Sequence, residues 1–598
     1  MRRFLMLLAL FVAVVSIQSR VFPPMEGSDE PLHITYVASL RTDATLPDRT
    51  TYLENCTRQQ SGGPPLWYVA GALWLDALQL PAPPCDAIFD YYYRQTNNPW
   101  LLSPRPARPD DNNTNFLPLT TIPPPDGFPA AVYALRWLSV AWGALAVVGA
   151  WLAAGEVFER QSWRLTAVAV FAFTPTFVHL SAYFTNDTPA TAFTTWVAWQ
   201  TLVLLRRGAT WQRMAIIGLL VGAGALTKVS VLLVAPAVAV AVVWRIWQDN
   251  PRPVVGLRRV VVAGTVAAVP LLLTFGIWAG WGWLAYGDPF GTNTHIHPTL
   301  NYDPPLSWDA TLRGLPAIYQ TYVGLLGYAN VYMSGWVYAM LTAVLLAGLV
   351  GLMIGWRSIP VGPGLALLAL WAVTGIGFLR WYRTIFDVTG RLLMPAHIAY
   401  ALALTFGLML LSRWLPGRWL RLIGAGAHLL AGGVLTFVTL HAAYAPPVTA
   451  DLPPLQGPTY TFDETIRLLG YHTPTDTITA PIHPITLCWE VLQPTDRLAA
   501  YAVRYVQDGV PVAQRTTVHG LGRYNSTLWQ PGTRFCDRVD MPMGDARFGA
   551  SPPQPGIRYD ILLVMLDARS GAVNWTASAP DGSAVQFPVL GQVHYTGG

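Results

Sequence analysis

Residues 260–284 read VVVAGTVAAVPLLLTFGIWAGWGWL, a run without one charged side chain. As a helix rising about 1.5 Å per residue it would be roughly 37 Å long, enough to cross a hydrocarbon layer about 30 Å thick. Long apolar stretches recur near 130–155, 164–182, 188–205, 212–227, 229–247, 332–356, 361–379, 391–412 and 420–443. Met1-Arg2-Arg3 leads into a further apolar run, Phe4 to Ile17. Ile17 sits poorly for a signal-peptidase site near Ser19, so this run reads as a first spanning helix. The stretches total about eleven helices. Across 598 residues, 53% are hydrophobic and 12% charged, against roughly a quarter charged in a soluble domain. One soluble core cannot hide that much apolar surface, so the bilayer must act as solvent. A formal charge of +5 is small for this length and gives no footprint for a nucleic-acid partner.

The arginines set an orientation. If the helices alternate, Arg2, Arg3, Arg160, Arg164, Arg206, Arg207, Arg213, Arg245, Arg252, Arg258, Arg259, Arg357, Arg413, Arg418 and Arg421 all fall on one side. The positive-inside rule makes that side cytoplasmic. The N-terminus is then cytoplasmic and the protein a multi-pass component of the cell membrane. The other side receives a long first loop (about 23–129), a loop near 285–330, a linker at 380–390 and everything after Tyr444. All four cysteines fall there, Cys56 and Cys85 in the first loop and Cys488 and Cys536 near the C-terminus. Two bridges, Cys56 to Cys85 and Cys488 to Cys536, suit an oxidising compartment, the alternative being buried free thiols.

The first loop is rich in Pro, Asn and Thr, with Ile122-Pro123-Pro124-Pro125 blocking regular helix. Past Pro446-Pro447 the texture changes. Pro484–Leu492, Ala499–Val506, Val510–Val518, Tyr559–Leu566 and Ala584–Tyr595 read as short strands, with turns at Asp508-Gly509 and Ser570-Gly571. The expected architecture is an all-α polytopic membrane domain over 1–447 and an extracytoplasmic β-sandwich over 448–598, long enough to fold alone.

In so apolar a chain, ionisable residues at the external helix ends are the place to look for chemistry. In Ser28-Asp29-Glu30-Pro31-Leu32-His33, Ser28 reads as an N-cap and Pro31 fits a first turn, predicting a helix from Asp29 to about Arg41. Its stripe of Leu32, Tyr36, Val37 and Leu40 would suit the membrane surface. Asp29 and His33 share a face, though Asp29 and Glu30 could equally just complement the helix dipole. Lys228 is the one lysine, in a chain whose other basic residues are all arginine; its bland reading is a snorkelling side chain. Arg380, Arg383 and Arg391 bracket an external linker. Arg391 opens a helix where exposed N–H groups already favour an anion, its bland partner being Asp387. Asn186-Asp187 lies between two helices and could position an acceptor, hold a cation or cap. His295-Ile296-His297 has metal-like spacing without supporting ligands. No phosphate-binding loop, Ser/His/Asp signature or haem motif is present.

The acidic pair Asp29-Glu30 within Ser28–His33 resembles the Asp-Glu motif of protein O-mannosyltransferases and is similar to that of lipid A aminoarabinose transferases. Both groups share the C-type (GT-C) membrane glycosyltransferase fold and use polyprenyl-phosphate sugars. Gly62-Gly63-Pro64-Pro65-Leu66-Trp67-Tyr68, Asn186-Asp187, Thr227-Lys228, Tyr286-Gly287-Asp288-Pro289 and Gly390-Arg391-Leu392-Leu393-Met394-Pro395 follow in the order such proteins show, over about residues 1–445. The long first loop and the C-terminal sandwich depart from the pattern. The resemblance implies transfer, with inversion, from a polyprenyl-phosphate-linked sugar donor to an extracytoplasmic glycan, lipid or protein hydroxyl. It implies Asp29 (or Glu30) as catalytic base and Lys228, Arg391 and Arg383 at the donor phosphate. His33, Asn186 and Asp187 would position the acceptor or support those groups. It admits a divalent metal, although no ligand cluster requires one. Two other classes fit parts of the sequence. A non-enzymatic, polymer-binding envelope protein would explain the sandwich but leave the charges idle. A secondary transporter would place its ionisable groups near the bilayer midplane.

The orientation is open to a direct check. A reporter fused after Gly598 should be active only in the extracytoplasmic compartment; cytoplasmic activity would reverse the topology.

Overall fold

The structure, a computed structural model, describes every residue except 22, 82–83, 89–126, 250–251, 297–300, 330, 386–388, 545–549, 569–570 and 598. The expectations at Ile122–Pro125, His297, Asp387 and Ser570 lie outside the described residues. Those up to Leu440 form one compact unit and those from His441 onward a second.

Each apolar stretch of the first unit is helical. The helices run Arg2–Val21, Phe128–Val157, Gln161–Ala172 with Pro175–Ala182, Asp187–Arg207, Trp211–Ala225, Val229–Asp249, Pro253–Tyr286, Gly335–Ile354, Val361–Thr384, Gly390–Leu411 and Gly417–Tyr444. Among the described residues, eight are long and apolar enough to cross a membrane, nine if the pair bent by 60° before Pro175 is one span. Eleven crossings go beyond what length and composition carry. Trp211–Ala225 has 15 residues, roughly 22 Å of helix. Asp187–Arg207 is long enough but rich in threonine, and it is buried against its neighbours. Thr191, Thr194, Thr195 and Thr201 each return their hydroxyl to the carbonyl four residues back, which satisfies them without water.

Two local expectations change. The early helix runs Glu30–Asp43, with Asp29 rather than Ser28 at its N-cap, and Asp29 adopts the left-handed conformation at φ 60°. All residues from Glu30 to Ser39 are buried, so this helix does not lie along a surface. It packs on the helix Leu66–Ala77: the Tyr36 ring stacks on Tyr68 at 3.9 Å, and Gly71 lets Val37 approach closely. A further helix, Trp308–Gly324, occupies the loop expected near 285–330. Ser307 caps it, and Asp309, Arg313 and Pro316 hide it from a hydropathy reading.

The second unit is a two-sheet β structure. Its five-stranded sheet runs Thr477–Ile478, Val589–Tyr595, Ile557–Asp567, Ala499–Gln507 and Val510–Val518. The six-stranded sheet runs Ala584–Val585, Ala577–Ser578, Tyr460–Phe462, Ile466–His472, Ile482–Val491 and Arg534–Pro542. Asp508 (φ 50°) and Gly509 (φ 81°) form the expected two-residue hairpin turn. Inward residues of both sheets, among them Trp489, Tyr501, Tyr505, Phe535, Ile561 and Leu563, make one core. Both disulfides form as paired in the sequence reading, and no described cysteine is free. Cys488 and Cys536 stand directly opposite on neighbouring strands.

Asp537 is buried in that core, accepting hydrogen bonds from the Tyr501 hydroxyl (3.0 Å) and the Gly520 N–H (3.1 Å). Burial pushes its carboxyl up from 3.8 to about 7. A folded-state value above the unfolded one stabilises at low pH, and that contribution fades as pH rises through 3.8 to 7. Buried His519, pushed down to about 3, acts in the opposite sense, so a comparison of variants isolates Asp537. Residues 441–598 expressed alone should fold. The stability of Asp537→Asn relative to wild type should grow between about pH 4 and pH 7. Parallel pH profiles of melting temperature would contradict this.

Candidate active site

The first unit holds a wholly buried ion pair between Glu30 and Arg136. The guanidinium donates Nε–H and Nη2–H to the two carboxylate oxygens, both at 2.7 Å, and the same oxygens accept from the N–H of Met25 (3.0 Å) and Phe184 (3.2 Å). Arg136 also donates to the carbonyls of Ser19 (2.9 Å) and Pro23 (2.7 Å). A buried pair repays its desolvation only when its remaining hydrogen-bonding capacity is filled, as it is here. The pair fastens the end of the first helix, the start of Glu30–Asp43, the helix Phe128–Val157 and the segment before Asn186. Glu30 is fully engaged as an anchor.

Asp29, next to this anchor, turns the other way. Its left-handed backbone sets it just outside the helix, and its carboxylate pairs with Arg391, 362 residues on. Asp187 opens the helix Asp187–Arg207 and pairs with Lys228, which stands before the 3-10 turn Val229–Val234. Arg391 Nη1 lies 4.0 Å from the Asp187 carboxylate and donates to the Ser28 carbonyl at 3.3 Å. Four segments far apart in sequence thus bring two carboxylates and two cations into one cluster. Gly390 is required for this: its N–H donates to Thr321 Oγ1 (2.7 Å), and a Cβ there would collide with the backbone of Ile318 and Tyr322.

His33 lies one turn beyond Asp29. Its Nδ1 meets the Tyr68 hydroxyl at 2.9 Å, and that hydroxyl donates to Gln60 Oε1 at 3.1 Å. The tyrosine proton being used there, the imidazole proton sits on Nδ1 and leaves Nε2 as an acceptor. Burial pushes His33 down to about 4 despite the Asp29 charge beside it, so the ring is neutral near pH 7. Burial alone would raise the Asp29 carboxyl, but the Arg391 guanidinium above all, with the Lys228 ammonium, outweighs it and holds it below its ordinary value. Asn186 reaches the Tyr68 hydroxyl as well.

Asp29, His33, Asn186, Asp187, Lys228 and Arg391 are therefore brought together. Arg383 is not in this cluster: its Nε–H donates to the Leu306 carbonyl (2.8 Å), and its guanidinium lies over Trp308 at 4.2 Å. His295 feels the charges of Asp29 and Lys228 from a turn held by Thr294, which donates to the Gln59 carbonyl (2.8 Å). Among the described residues no three His, Cys, Asp or Glu side chains stand close enough to hold a metal ion. Sequence reasoning missed Arg136 and Arg49. Arg136, a lone arginine in an apolar helix, was a signal in plain view. Arg49 is buried against Trp278, Trp281 and Tyr286 and donates to the Asp288 carbonyl (2.8 Å), clamping the first loop onto the Tyr286–Pro289 motif.

Residues 129–278 match the family described as Dolichyl-phosphate-mannose-protein mannosyltransferase. The matched stretch contains Arg136, Asn186, Asp187 and Lys228; Asp29 and Arg391 lie on either side of it. Solved structures similar to the chain include ArnT from Cupriavidus metallidurans bound to undecaprenyl phosphate. That match has 13% identity and a TM-score of 0.44, covering 71% of this chain and 62% of that one. They also include the oligosaccharyltransferase AglB from Archaeoglobus fulgidus, in complex with an inhibitory peptide and a dolichol-phosphate. There the values are 12% identity, a TM-score of 0.37, and 73% and 55% coverage. The chain thus spans less than two thirds of either protein, and likenesses this distant assign neither residues nor activity. No curated protein matches the chain significantly.

The anchor predicts an asymmetry between two adjacent acids. Glu30→Gln leaves Arg136 buried without its counter-ion and should cost about 3–5 kcal/mol, lowering the melting temperature of the detergent-solubilised protein. Asp29→Asn, in a more exposed pair, should melt close to wild type. Equal melting of Glu30→Gln and wild type would remove Glu30 from the anchoring role.

Proposed function

We propose that the chain is a C-type membrane glycosyltransferase that moves a sugar, with inversion, from a polyprenyl-phosphate donor to an acceptor hydroxyl. The convergence of Asp29, Asp187, Lys228 and Arg391 carries this reading, and the mannosyltransferase match over residues 129–278 supports it. The acceptor oxygen attacks the anomeric carbon, and the bond from that carbon to the phosphate oxygen breaks. The acceptor proton passes to the Asp29 carboxylate, and the electron pair leaves with the polyprenyl phosphate. Phosphate is a competent leaving group, so one base suffices. The charge growing on it falls on Arg391 and Lys228, electrostatic stabilisation where charge develops. Asp187 holds the lysine in place, and neutral His33, one turn beyond Asp29, lines the acceptor side without adding charge. Asn186 and the Tyr68 hydroxyl complete that wall.

The arginine distribution supports a site on the extracytoplasmic side of the cell membrane, with the prenyl chain among the helices. There the C-terminal sandwich would hold the acceptor glycan, lipid or protein.

In an in vitro assay with a panel of polyprenyl-phosphate sugars, Asp29→Asn should lower turnover about 10²–10⁴-fold, the usual contribution of a positioned base. Wild-type turnover by this variant would remove Asp29 as the base. Absence of transfer from every such donor by the wild-type protein would overturn the function itself.

A further inference from the structure

The cations of this site are already occupied. Lys228 is paired with Asp187 and Arg391 with Asp29. The cavity beside Arg391, lined also by Ser28, His179, Tyr183 and Gly327, measures about 10 Å³, room for about one water molecule. A phosphate does not fit there. A donor phosphate approaching Arg391 therefore competes with the carboxylate that its guanidinium now holds.

The two carboxylates are not equally replaceable. Asp187 is buried, its side chain 4% exposed, on the first residue of a long packed helix. Asp29 has a side chain 21% exposed and stands outside its helix on a left-handed residue. Its hold on Arg391 is a side-chain pair only. If that pair opens, Arg391 keeps the Ser28 carbonyl and the nearby Asp187 carboxylate, so the guanidinium stays in place while its partner changes. A guanidinium fork takes a phosphate as readily as a carboxylate.

We propose that the donor phosphate binds by displacing the Asp29 carboxylate from Arg391, and that this exchange frees Asp29 for the acceptor proton. The inference rests on the function proposed above. No covalent bond changes in the exchange: one anion replaces another on the same cation. Asp29 is a poor base while Arg391 holds it, because its charge is already compensated. Once the phosphate takes over the guanidinium, the carboxylate recovers its affinity for the acceptor proton. The base is thus masked until the donor is loaded, and productive binding is ordered, donor before acceptor.

The test is a double-mutant cycle on the full-length protein in detergent, reading the Kd of a short-chain polyprenyl monophosphate. Wild type, Asp29→Asn, Arg391→Gln and the double variant are compared. Asp29→Asn should bind the probe about tenfold more tightly than wild type, the scale of one charge-assisted contact. In the Arg391→Gln background the same substitution should gain less than about threefold. Equal gains in both backgrounds would mean simple removal of a nearby negative charge, and would overturn the exchange while leaving the donor site intact. So would an Asp29→Asn protein that binds no better than wild type. No binding by any of the four proteins would overturn the glycosyltransferase reading itself. Should Asp29→Asn fail to fold, Asp29→Ser removes the same charge and serves the same comparison.

Discussion

The buried pair of Glu30 and Arg136 is the constraint on which the rest of the helical unit depends. A carboxylate and a guanidinium without water are costly unless every lone pair and proton has a partner. The chain supplies those partners from four places: the end of the first helix, the turn after it, the helix Phe128–Val157 and the backbone at Phe184. Satisfying the pair fixes where Glu30 stands, and so where Asp29 must turn out of the helix. Through Phe184 it also fixes the approach to Asn186 and Asp187. One electrostatic requirement thereby sets the position of both acids of the site.

The cluster built on this anchor is balanced, with two carboxylates against two cations. Balance lets four ionisable groups persist at the end of an apolar bundle. It also means that an incoming anion competes for its cations. Neutral His33, fixed by Tyr68 and Gln60, adds an acceptor without adding charge. On the function and the exchange proposed above, a site of this kind would neutralise a departing phosphate and keep its base occupied until a phosphate arrives.

Much of this was legible in the sequence, for a physical reason. In an apolar chain a polar residue is expensive, so Asp29, Asp187, Lys228 and Arg391 stood out, and the structure gathers all four. The division of labour between Asp29 and Glu30 was not legible, because it follows from one left-handed backbone residue and from a guanidinium more than a hundred residues away. Arg383 looked equivalent to Arg391, yet it spends its donors on the Leu306 carbonyl and its face on Trp308. The helix Trp308–Gly324 escaped because amphipathic periodicity broken by a proline leaves no apolar run. In the sandwich, Ile466–His472 was hidden by the register shift before Gly470, and Arg534–Pro542 by its charged residues. The hairpin at Asp508-Gly509 was read correctly because turn chemistry is local.

The central claim is that Arg391 and Lys228 together receive a polyprenyl phosphate on a frame held by Glu30 and Arg136. An experimental structure of the protein with a polyprenyl phosphate bound tests it most directly. The account predicts a phosphate within roughly hydrogen-bonding distance (about 3 Å) of both cationic groups, the Glu30–Arg136 pair intact and Asp29 turned away from Arg391. A phosphate seated elsewhere, with both ion pairs still closed, would contradict it.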